Sequence, residues 1–126
     1  MSLLFSLLVS GSATSAVGDM DLSLLPSSLP STKGGRCLDG SMAGYYYRQG
    51  SPDTFVIYLK GGGACYDEAS CTQRAKTDLG SSKKWSKSMK GGNEQSADCS
   101  ENPAFCNATA VYLPWVLGLV ACARVR

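Results

Sequence analysis

The chain has 126 residues, 12 basic and 10 acidic side chains, a formal charge of +2 and an apolar fraction of 44%. That length fits one domain, and the even charge balance lacks the dense basic face with interleaved aromatics that a nucleic-acid partner needs. The chain contains no histidine, so imidazole cannot serve as general base, proton shuttle or metal ligand in this polypeptide acting alone.

In chain order, residues 1–18 open with an apolar stretch, Leu3 to Val9, followed by small residues up to Gly18. This is the form of a secretory signal peptide, although no Lys or Arg precedes the apolar stretch. It is too short to span a bilayer. Residues 19–36, rich in Ser, Pro, Leu and Gly, read as a low-complexity linker. Tyr45-Tyr46-Tyr47-Arg48 and Thr54 to Leu59 are strand signals separated by Gly50-Ser51-Pro52-Asp53, which predicts an antiparallel hairpin whose second strand is buried. Tyr66 to Arg74 suits a short helix with Asp67 in its acidic first turn and Arg74 near its end. Residues 77–107 should be mostly loop, and Lys83, Lys84, Lys87 and Lys90 within it read as a solvated basic surface. A third strand is expected over Ala108 to Leu113, limited by Pro114. The apolar tail, 116–126, is also too short for a membrane span. Strand, loop, helix, loop, strand is the beginning of an α/β arrangement.

The six cysteines, at 37, 65, 71, 99, 106 and 122, form an even set in a short chain with a signal-like leader, which points to disulfides and an oxidising, extracellular compartment. No C-x-x-C pair occurs, and no histidine can complete a mixed site, so zinc and other cofactors are not expected. Asn107-Ala108-Thr109 is a glycosylation sequon, marking Asn107 as a candidate carrier of an N-linked glycan.

The chemical signal lies in Gly61-Gly62-Gly63, directly after the second strand. Glycines there serve either as a turn or as a row of unobstructed N–H groups awaiting an oxyanion, as in the glycine loops of esterases. A phosphate cradle is excluded, because the Gly-Lys-Ser/Thr ending of a P-loop is missing.

Four ordered stretches bring these features together: "CLDGSMAGYYYRQG" (37–50), the run from Phe55 through the glycines to Trp85, "GGNEQSADCSENPAFCNATAVYLPW" (91–115), and the spacing between them. Over residues 37–115 the chain resembles the pectin acetylesterase family, which includes the Notum deacylases. The resemblance implies the N-terminal part of an α/β-hydrolase-like three-layer sandwich. It implies a secreted carboxylic-ester hydrolase that uses Ser-His-Asp on an acylated polysaccharide or an acylated protein. By resemblance Gly61 and Gly62 take the oxyanion-hole positions, and Cys65 and Cys71 match a family disulfide. Cys99 and Cys106 are additional to the family pattern and can pair across the loop. Cys37 and Cys122 either pair or remain thiols.

The departures are as informative. Lys60 stands where the family usually has Glu. No Gly-x-Ser-x-Gly elbow exists; the nearest lookalike, Gly40-Ser41-Met42-Ala43-Gly44, has its serine one place early. Nucleophile, Asp and His positions are all missing, so the chain as written should be inactive. Agreement stops near Trp115, which reads as a truncation or an altered frame. The rival reading is a small secreted disulfide-stapled binding module that uses Tyr45, Tyr46, Tyr47 and Trp85.

Overall fold

The structure, a computed structural model, describes residues 18–28 and 35–114. The described elements are β1 (Asp19–Leu24), β2 (Gly44–Arg48), β3 (Ser51–Leu59), α1 (Glu68–Arg74), β4 (Ser88–Lys90) and β5 (Ala108–Leu113). The strands form one sheet in the order β3-β5-β2-β1-β4. Only β3 and β5 run parallel; the other neighbours are antiparallel. Besides this mixed sheet the described residues hold one short α-helix, α1, and a single 3-10 turn at Asn93–Gln95, the few helices of a partial α/β arrangement.

The strand β1 corrects the reading of 19–36 as linker. Asp19-Met20-Asp21-Leu22-Ser23-Leu24 alternates polar and apolar side chains, the period of a half-buried strand. Met20 is fully buried and packs with Tyr46 and Ala110, flanked by Leu22, Met89 and Tyr112. The leader over residues 1–17 and the tail over 116–126, with Cys122, lie outside the described residues.

The expected hairpin is also corrected. β2 and β3 do not pair; β5 lies between them, antiparallel to β2 and parallel to β3. The connection is drawn across β5 by specific bonds. Gly50 N–H donates to Thr109 Oγ1 (3.0 Å), Thr109 Oγ1 donates to the Ser51 carbonyl (2.9 Å), and Ser51 N–H donates to the Asn107 carbonyl (2.7 Å). A side chain on Gly50 would collide with the Asn107 and Ala108 carbonyls at 2.4 Å, so only glycine fits. Pro52 and Asp53 form no tight turn and sit inside β3, where the register shifts between Ser51 and Phe55. Proline is tolerated there because it lies on an edge strand beside an irregularity.

Nor is β3 buried. Among the described residues it pairs on one side only, and Phe55, Ile57, Tyr58 and Leu59 are 58%, 61%, 45% and 55% exposed. The segment 77–107, expected as loop, contains β4, which pairs with β1 through Met20–Met89. The rest of it is held by buried polar bonds. Gln95 Nε2 donates to the Val111 carbonyl (2.9 Å), Arg48 Nη1 to the Gln95 carbonyl (2.8 Å), and Asn102 Nδ2 to the Glu94 and Ser96 carbonyls. A Cys99–Cys106 disulfide closes its final turn (Cα–Cα 5.0 Å).

Candidate functional site

The C-terminal ends of the parallel pair meet at Leu59–Leu113, and the ladder closes with Lys60 N–H donating to the Leu113 carbonyl at 3.1 Å. Carboxyl ends of parallel strands are where open α/β sheets bind ligands, because the loops there face a common crevice. Gly61, Gly62 and Gly63 follow at once and are exposed. Their N–H groups find no acceptor among the described residues. Open space surrounds Gly61 and Gly63 where a Cβ would stand, and Gly63 has φ +68°, the left-handed region that glycine adopts without strain. The loop is fixed from the other side: Arg74 Nη2 donates to the Gly62 carbonyl at 2.8 Å.

Arg74 is delivered by α1, whose start is built into the same segment. Asp67 is the N-cap, one place earlier than the first-turn position expected for it; Glu68 supplies the acidic first turn. Asp67 Oδ1 accepts from Ser70 N–H (2.7 Å), and Ser70 Oγ accepts from Asp67 N–H (3.2 Å), a reciprocal capping box. The Ser70 bonds hold the Asp67 carboxyl below the usual carboxylate range. A disulfide joins Cys65 to Cys71 (Cα–Cα 5.0 Å), tying the residues after the glycines to the helix.

A second cluster anchors the far side of this region. Asp39 Oδ1 accepts from Ser41 N–H (3.0 Å) and Ser41 Oγ (2.6 Å), while Oδ2 accepts from Ser81 Oγ (2.8 Å) and pairs with Lys83 Nζ (3.0 Å). Burial alone would raise the Asp39 pKa, but the bonds from Ser41, Ser81 and Lys83 outweigh it and hold the carboxyl far below its ordinary value. Ser41 Oγ also accepts from Ser82 N–H (3.0 Å). The serine of the elbow lookalike is therefore committed to a structural clamp between residues 39–41 and 81–83. Gly80 fits against the end of α1, where a Cβ would lie 2.5 Å from the Arg74 carbonyl. Clamp, Gly80, α1 and the glycine loop are thus connected in space.

The remaining candidates are scattered. Tyr46 is buried and its hydroxyl donates to the Ser86 carbonyl (2.9 Å); Trp85 Nε1–H donates to the Asp78 carbonyl (3.0 Å). Tyr45 and Tyr47 do not join them in a common aromatic contact. Of the lysines, Lys83 is mostly exposed even while paired, and Lys90 belongs to β4. Cys37 is buried, with its sulfur 3.9 Å from the Met42 carbonyl oxygen. Asn107 is exposed, whereas Thr109 of the same sequon is buried. Among the described residues no group of three His, Cys, Asp or Glu side chains could hold a metal, and no helix is long and apolar enough to cross a membrane.

The Arg74–Gly62 bond and the Asp39–Ser81 clamp have no local signature in the sequence. Arg74 was visible as a helix-end cation, but nothing local says that its guanidinium turns back 12 residues. The clamp joins positions 42 apart, a distance over which a single sequence carries no pairing signal.

Comparison with known proteins adds an independent line. Residues 13–118 match the family Pectinacetylesterase. Pectin acetylesterase 5 of Arabidopsis thaliana is 38% identical over 95 residues, which cover 73% of this chain and 22% of that protein. The palmitoleoyl-protein carboxylesterase NOTUM of Schmidtea mediterranea is 35% identical over 91 residues, covering 68% of this chain and 17% of that protein. The Wnt deacylase Notum from Drosophila, solved by crystallography, superposes with a TM-score of 0.67 at 30% identity, over 79% of this chain and 28% of that one. The chain thus spans about a fifth of the length of the curated relatives it matches. Matched in sequence over most of its length and in the course of its backbone, the chain belongs to the pectin acetylesterase family.

Proposed function

We propose that this chain supplies the oxyanion-binding segment of a secreted carboxylic-ester hydrolase. The observation that carries the reading is the row of N–H groups at Gly61, Gly62 and Gly63, without acceptors among the described residues and just past the last bond of β3, in a member of this family. Attack on an ester carbonyl converts a neutral oxygen to an oxyanion, and each donor fixed at that point contributes about 3 kcal/mol to the transition state. Gly61 and Gly62 are the proposed donors, with Gly63 beside them. Absence of side chains lets the acyl carbonyl approach the backbone. The nucleophile and its base are not among these 126 residues, which hold neither a histidine nor a Gly-x-Ser-x-Gly.

The relatives named for pectin acetyl groups and for palmitoleoyl-protein frame the substrate choice: an acylated polysaccharide or an acylated protein. Translating the source sequence in all three frames past the Trp115 codon should reveal a Gly-x-Ser-x-Gly and a later Asp and His. That longer product should hydrolyse p-nitrophenyl acetate, while the 126-residue chain stays at the buffer rate. Lack of any such continuation would defeat the reading.

Secretion is part of the same proposal. It is supported by the two disulfides and by the exposure of Asn107. Expressed through a eukaryotic secretory pathway, the protein should carry a glycan that a peptide N-glycosidase removes, and Asn107→Gln should abolish the mobility shift. An unshifted wild-type band would count against secretion.

A further inference from the structure

We infer that Arg74 is a positioning residue for the glycine loop: through its bond to the Gly62 carbonyl it sets the orientation of the peptide joining Gly62 to Gly63. This rests on the esterase reading for its functional meaning, but the geometry stands by itself.

The argument begins with the peptide unit. No peptide bond here is cis, so the Gly62 carbonyl and the Gly63 N–H point in opposite directions from one plane. Arg74 Nη2 holds that carbonyl at 2.8 Å. The Gly63 N–H therefore faces away from the Gly62 carbonyl and its guanidinium donor, and a Cβ at Gly61 or Gly63 would meet nothing within 4 Å. Three adjacent glycines have more backbone freedom than any other triplet, and Gly63 sits at φ +68°, a conformation one peptide flip from several others. A donor row on so mobile a backbone stabilises charge only if some other group selects one orientation, because preorganisation is what gives a donor its effect. Strand bonds cannot do this, since they end at Lys60. The Cys65–Cys71 disulfide begins two residues past Gly63 and joins Cys65 to α1, not to the glycines. Arg74 supplies the missing constraint with a charge-assisted bond.

The helix end that carries Arg74 is itself held through its backbone. Arg74 lies in the last turn of α1, and its carbonyl accepts from Thr77 N–H (3.0 Å) and Thr77 Oγ1 (2.8 Å). Gly80 packs against that same carbonyl, and the Gly80 carbonyl accepts from Asp39 N–H at 3.4 Å. The loop orientation is thus referred through Arg74 to the Asp39 clamp.

The test uses the ¹⁵N-labelled 126-residue chain with Arg74→Ala and Arg74→Lys, following the Gly61–Gly63 amides by relaxation and hydrogen exchange. In the unchanged chain the Gly63 amide should be ordered, with an order parameter near 0.85; in R74A it should fall below about 0.6. In R74K, which keeps a cationic donor, it should remain closer to the unchanged value. Amides of β2 and β5 and the thermal midpoint should move little, which separates loop positioning from general destabilisation. The proposal is overturned if Gly63 is already mobile in the unchanged chain, or if R74A leaves it as ordered as before. Should R74A lose its folded spectrum altogether, Arg74→Gln and R74K decide: loosening of Gly63 in Arg74→Gln beyond that in R74K, with the strands intact, supports the assignment, and order in Arg74→Gln equal to that of the unchanged chain overturns it. No substrate enters this measurement, so its failure leaves the esterase reading standing. That reading falls on the coding sequence instead.

Discussion

Asp39 is where pH should act on this fold. Four donors converge on its carboxylate, from Ser41 N–H, Ser41 Oγ, Ser81 Oγ and Lys83 Nζ. They depress its pKa below that of the unfolded chain, although burial opposes them. A depressed carboxylate contributes stability above its unfolded pKa of about 3.9 and loses it progressively as pH falls toward the folded value. Lys83 is 69% exposed, so its ion pair adds little and the serines carry most of the effect. Asp39→Asn should cost about 2 kcal/mol at pH 7, because Ser81 and Ser41 lose a charged acceptor. It should also flatten the decline in stability below about pH 4. Urea unfolding at pH 7 and pH 3 measures both, and parallel curves for the two proteins would remove Asp39 from the account. At this scale the sequence offered the right types and the wrong duties. Ser41 looked like a displaced nucleophile and is a clamp. Thr109 looked like part of a sequon and also ties the β2–β3 connection to β5.

At the scale of elements, local pattern was legible where the chain's own neighbours decide. Ala108–Leu113 is a strand as expected, and α1 lies within the stretch expected for it, with Arg74 at its end and Asp67 as N-cap rather than in the first turn. β1 was equally legible in its strict alternation, but the Ser, Pro and Leu composition around it drew the reading toward a linker. Pairing was not legible. Two strand signals separated by a Pro-Asp step predict a hairpin, yet β5, distant in sequence, occupies the place between them. The resulting edge strand β3 shows Phe55, Ile57, Tyr58 and Leu59 to solvent on an unpaired ladder, a template for self-association. Ile57→Lys, at a position 61% exposed, should lower light scattering at high concentration several-fold while shifting stability by less than about 0.5 kcal/mol. Unchanged scattering would show that aggregation, if present, starts elsewhere.

For the molecule as a whole, the chain contributes a mixed sheet whose parallel pair points its carboxyl ends at a glycine loop, within a family whose curated relatives are several times longer. The sequence by itself determined the family, the strand that launches the glycines, the short capped helix and the absence of an imidazole, because each is written in adjacent residues or in composition. Only the tertiary structure decided which strand lies beside which, that β1 and β4 complete the sheet, and that Arg74 and Asp39 brace the loop. Those contacts join positions 12 to 71 residues apart, and their free energy depends on packing and bond geometry that come into being only when the chain has closed on itself.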